Sequence, residues 1–131
     1  MNIIFGEEQR KLIGDKHITL ELDTVRLVDK DGKQIPGSEL VPIYGLIGPG
    51  DIPVTSLPAV DRLIELHEAL MKNYKIQNWD FCEQALEHLR GQWTVVVDEF
   101  YAELTNRIFL LRENTPENWS PVLDRVQETI G

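Results

Sequence analysis

Hydrophobic residues in this chain alternate before one Gly/Pro-rich segment and recur every three or four positions after it, and that single change of period limits the folds open to it. The segment is Gly48-Pro49-Gly50-Asp51-Ile52-Pro53-Val54-Thr55-Ser56-Leu57-Pro58, which holds three of the seven prolines and reads as a linker. Strands first and helices second give an α+β class. The expected organisation is a small β-rich element over 1–48, a linker over 49–58 and a helical bundle over 59–131, packed as one compact unit.

In the first part, Ile18, Leu20 and Leu22 alternate with polar residues and predict a half-buried strand over 18–28. Asp29-Lys30-Asp31-Gly32-Lys33 supplies a turn, and Leu40 to Ile47 returns as a second strand. Pro42 cannot donate to a ladder, which favours a start or edge position. Asn2–Phe5 adds a short strand. Glu7–Ile13, ending at Gly14, predicts about two helical turns closed by a glycine cap. The element is therefore about three strands and one short helix. Such a sheet is marginal alone, so its apolar face needs the helices or a second copy of the chain, which makes a homodimer the expected assembly.

In the second part, Leu63, Leu66, Leu70 and Tyr74 mark one helix, with Pro58 and Asp61 suited to its start. Trp79 to Arg90 reads as a second, with Asp80 and Glu83 as a capping box and Gly91 as its stop. Thr94 caps a third, whose seam runs through Val97, Phe100/Tyr101, Leu104, Ile108 and Leu111. Ser120-Pro121 starts a fourth, turning Val122, Val126 and Ile130 inward. This predicts an antiparallel four-helix bundle whose first pair, Leu63 to Arg90, has the size of one tetratricopeptide unit, about 30 residues.

Charge narrows the partners. With 13 Lys+Arg against 22 Asp+Glu the chain carries −9 over 131 residues, which opposes nucleic acid and anionic membrane surfaces alike. Residues 1–58 hold 6 basic and 9 acidic residues and residues 59–131 hold 7 and 13, so the helical part is the more acidic. That balance fits a protein partner with a basic surface. A single cysteine, Cys82, makes no internal disulfide, and the start Met1-Asn2-Ile3-Ile4-Phe5-Gly6 reads as no leader. Cytoplasmic residence follows as the expectation.

Two groups of strings carry a resemblance. Leu20-Glu21-Leu22-Asp23-Thr24-Val25-Arg26-Leu27, Asp31-Gly32-Lys33-Gln34-Ile35-Pro36 and Val41-Pro42-Ile43-Tyr44-Gly45-Leu46-Ile47-Gly48 form the first. Tyr74…Asn78-Trp79-Asp80 and Tyr101…Arg107…Thr115-Pro116-Glu117-Asn118-Trp119 form the second. Together they resemble the last strands and helical tail of bacterial class III adenylate/guanylate cyclases, although the Tyr101–Arg107 spacing departs from that family. The resemblance implies a non-catalytic chain, since the two metal-binding aspartates and the Asn and Arg that stabilise the transition state would all lie upstream of Met1. Only a phosphate-contacting lysine carries over, to Lys33 or less securely to Lys30. Asp29 and Asp31 flank these where the family keeps its turn basic. An accessory nucleotide-binding subunit of a split cyclase is the alternative that this implies.

Read residue by residue, the chain offers no catalytic constellation, metal site or cofactor. His17, His67 and His88 share no ligand spacing and read as surface or boundary histidines. Cys82, on an apolar face, reads as a buried small residue. Gly48-Pro49-Gly50-Asp51 lacks the Lys-Ser/Thr of a phosphate loop. Glu65, Glu68, Glu83, Glu87, Asp98, Glu99 and Glu103 read as solvated helix faces. Trp79, Trp93 and Trp119, at predicted helix ends, either close a small core or anchor a partner. The function expected is a small non-catalytic interaction or regulatory module.

Overall fold

Strand β2, Ile18–Val28, lies in the middle of the sheet and connects both halves of the chain. In the computed structural model, which describes residues 2–13, 17–28, 31, 33, 41–48, 50, 52, 54–92 and 95–126, it pairs antiparallel with β3, Val41–Ile47, along the register Ile18↔Ile47 to Val25↔Val41. Strand β1, Asn2–Phe5, adds antiparallel to the far side of β3. Pro42 sits near the start of β3 as expected, but β3 is not an edge strand. Pairing with β1 has ended there, at Phe5↔Ile43, and the Pro42 carbonyl instead accepts the Gly6 N–H at 2.9 Å. Helix α1, Glu7–Ile13, follows β1; the predicted cap Gly14 is outside the described residues.

The alternation in β2 does not persist to its end. The register shifts between Glu21 and Asp23, so a bulge at Leu22 moves the strand out of phase. Leu20 and Leu22 are buried before it, and Val25 is buried after it, where strict alternation would have turned Val25 to the other face. Asp23 is thereby brought opposite Ile43, a core residue.

The second half of the expected linker is a 3-10 helix, Val54–Ala59, with Pro58 inside it, which runs straight into helix α2, Val60–Lys75. Helix α3 spans Trp79–Leu89 and α4 spans Val95–Glu113. The turn from α2 to α3 is a Schellman motif: the Asn78 N–H donates to the Asn73 carbonyl at 2.9 Å and the Gln77 N–H to the Tyr74 carbonyl at 3.2 Å. It requires Gln77 at φ 63°, a left-handed conformation that glycine adopts more cheaply. At the other end of α3, Gly91 takes φ 75° and its N–H donates to Asp98 Oδ1 at 2.9 Å. The predicted capping box does not form. Asn78 is the N-cap, but its side chain donates to Asn73 Oδ1 at 3.0 Å instead of capping the helix, and Asp80 and Glu83 are both bonded to Arg112 of α4.

The architecture is α+β, with four α-helices among the described residues, α1 before the linker and three after it. The fourth helix predicted after the linker is corrected to a strand. Val122–Val126 forms β4, parallel to β2, from Thr24↔Val122 to Val28↔Val126. Without it the outer edge of β2 would leave its N–H and C=O groups unpaired, and pairing them outweighs a weak helical period in a Val-flanked stretch after Pro121. Leu123, opposite Val25, packs against the core, a residue that the helix reading did not turn inward. The sheet order is β1-β3-β2-β4.

One continuous core joins the sheet residues Leu20, Leu22, Val25, Ile43 and Ile47 to Leu63, Leu70, Met71 and Tyr74 of α2, Cys82, Leu86 and Leu89 of α3, and Val97, Tyr101, Leu104 and Ile108 of α4. The chain's own helices thus cover the apolar face of the sheet, and its burial needs no second copy.

Candidate functional site

His67 corrects the sequence reading most sharply. It is fully buried, neither a surface nor a boundary residue. Its Nε2 lies 2.6 Å from the Glu21 carbonyl and its Nδ1 2.9 Å from the Tyr101 hydroxyl. A carbonyl only accepts, so Nε2 carries the proton and Nδ1 accepts from Tyr101. Burial pushes the ring's pKa down, which the Glu21 carbonyl only partly offsets. The result is a neutral imidazole tying α2 to β2 and α4, with both nitrogens engaged. The signal was present in sequence: His67 is four residues after Leu63 and three before Leu70, inside the apolar stripe, and it displaces Leu66 to a half-buried position.

Arg107 is the second group that the sequence left unplaced. Its Nη1 donates to Asp23 Oδ1 at 2.9 Å and to the Tyr74 hydroxyl at 3.3 Å, and its Nη2 donates to Glu103 Oε1 at 2.9 Å. Burial opposes the charge, but the bonds to Asp23 and Tyr74 outweigh it and hold the guanidinium above its ordinary value. The bulge in β2 is what turns Asp23 toward this arginine. Cys82 is buried as predicted, its thiol pushed up to about 11 by burial and by Glu83, so it is no nucleophile at neutral pH.

Trp79 and Trp119 come together. Their rings meet edge to face at 5.4 Å, Trp119 meets Tyr74 in the same way at 5.4 Å, and Tyr74 lies 6.0 Å from Trp79. Edge-to-face packing occupies ring faces that a cation-binding cage would need open, so the triad closes the α2–α3 end of the core and seats the loop leading to β4. Trp93 lies outside the described residues, as does Lys30. Lys33 is exposed. Among the described residues no three His, Cys, Asp or Glu side chains are grouped to hold a metal, and no helix is long and apolar enough to cross a membrane.

Among the described residues, one surface open to a partner is the outer face of α4. Its inner face, Val97, Phe100, Tyr101, Leu104 and Ile108, is the predicted seam. Opposite it, Phe109 is 59% and Leu110 60% exposed. Glu99, Ala102, Glu103, Asn106 and Glu113 are exposed on the same side. Arg107 reaches this side only through its Nη2 bond to Glu103, its Nη1 turning to Asp23, and Arg112 pairs with Asp80 and Glu83. Sequence reasoning passed over Phe109 and Leu110, although two large apolar residues falling outside the seam were the signal.

No family model matches the chain, and no curated protein or solved structure matches it either.

Proposed function

We propose that this chain is a non-catalytic module that binds a protein partner through its acidic helical half. The observation that carries this reading is the side-by-side exposure of Phe109 and Leu110 on the outer face of α4. Large apolar side chains paired on a helix whose opposite face is already buried are what a docking surface presents. The groups best suited to chemistry support the same reading, since His67, Arg107 and Cys82 are all bonded inside the fold. In this reading the protein works in the cytoplasm, where its single thiol stays reduced.

A photo-reactive amino acid at position 109, introduced in cells of the native host, tests the proposal. It is expected to give a discrete cross-linked product that the same group at exposed Leu12 of α1 does not give. Equal labelling from both positions, or none from position 109, overturns it.

A further inference from the structure

Resting on that reading, we infer that the occupant of the α4 outer face is a basic amphipathic helix of another chain, not a second copy of this one. The exposed residues Glu99, Ala102, Asn106, Phe109 and Glu113 are spaced 3, 4, 3 and 4, which is the heptad spacing of a helix–helix seam, with Glu103 and Leu110 along its flank. This line of exposed residues lies opposite the buried seam, and Phe109, with Leu110 on its flank, is its large apolar group. Phe109 supplies a large anchor and Ala102, two turns before it, lets a facing helix approach closely.

Charge then chooses the partner. Glu99 and Glu113 bracket this line of exposed residues, while Glu103 beside it is already paired with Arg107 at 2.9 Å. A second copy laid antiparallel would set Glu99 against Glu113 and Asn106 against Asn106, placing like charges at both ends of the contact. A parallel copy would set each glutamate against itself. Either arrangement is disfavoured. A partner helix with Leu or Phe in its seam and Lys or Arg on the flanks satisfies the anchor and the carboxylates of Glu99 and Glu113.

The test uses the full chain and two labelled helical peptides that share one apolar seam, one flanked by Lys and the other by Glu, followed by fluorescence anisotropy. The Lys peptide is expected to bind, and to weaken by at least about threefold between about 50 and 300 mM salt. Phe109→Glu is expected to lose about tenfold or more in affinity, with an unchanged far-UV circular dichroism spectrum and melting temperature confirming its fold. Glu99→Gln/Glu113→Gln is expected to reduce the salt dependence while keeping the seam. Failure of the Lys peptide to bind, equal binding of the Glu peptide, or equal binding to the Phe109→Glu protein overturns the inference. So does a dimer in sedimentation equilibrium that Phe109→Glu abolishes. The two proposals fail separately: a position-109 cross-link that maps to an acidic or non-helical segment sinks the basic helix and leaves the binding module standing. Peptide binding without any host cross-link does the reverse.

Discussion

A neutral imidazole with both nitrogens bonded is a liability in acid, and His67 sets how this protein responds to pH. Its folded pKa is lowered, whereas in the unfolded chain it sits at about 6.5. The unfolded chain therefore binds more protons as pH falls. The stability from His67 is complete above about pH 6.5 and declines below it, by at most about 1.4 kcal/mol per pH unit, until the folded ring also protonates. Urea unfolding at neutral and mildly acid pH should show this slope, and His67→Phe should flatten it while costing about 2 kcal/mol at neutral pH. Parallel slopes for the two proteins would show that the ring does not titrate as described. The Asp23–Arg107 pair, with side chains only 14% and 18% exposed, invites a different measurement. Asp23→Leu and Arg107→Met should each cost about 2 to 3 kcal/mol, because each removes the other's buried ionic partner, while the double variant costs less than the sum. Strict additivity in that double-mutant cycle would mean that the two side chains do not act as a pair.

Among the elements, the bulge in β2 matters most, because it decides which residues after Leu22 face the helices. Val25→Ala should cost about 2 kcal/mol, while Thr24→Ala, on the opposite face, should stay within about 0.5 kcal/mol. Strict alternation from Ile18 predicts the opposite order, so denaturation midpoints of the two variants decide between the phases. Much of this level was legible in sequence. Helices α1 to α4 and strands β1 to β3 lie within a residue or two of where periodicity and turn formers put them, because each has a strong local pattern. The misreadings share one cause, which is that distant partners decide the outcome. Val122–Val126 is a strand because β2 needs pairing, Asp80 and Glu83 leave their helix start because Arg112 binds them, and His67 is buried because a carbonyl and a phenol are waiting for it. None of those partners lies within 20 residues in the chain, and no local window contains them.

At the scale of the whole molecule, the candidate site was legible only in outline. The excess acid of the helical half was countable, and so were the tryptophans. That α4 buries one face and exposes Phe109 and Leu110 on the other depended on how α2, α3 and the sheet pack around it, which also turns Arg107 inward to Asp23 while Arg112 pairs with Asp80 and Glu83. The sheet order has a consequence under load. Strands β1, β2 and β4 all run the same way, with β3 against them, so Asn2 and Val126 stand at opposite ends of opposite edges. Tension between those two points slides every ladder lengthwise and strains its hydrogen bonds together. Tension between Asn2 and Ile47, which stand at the same end of neighbouring strands, peels β1 from β3 one bond at a time. Optical tweezers with thiol-linked handles should find a severalfold higher rupture force for the first pair, and similar forces would contradict the strand order. Cys82 permits the experiment: buried and with its thiol held near pKa 11, it stays silent while engineered surface cysteines take the handles.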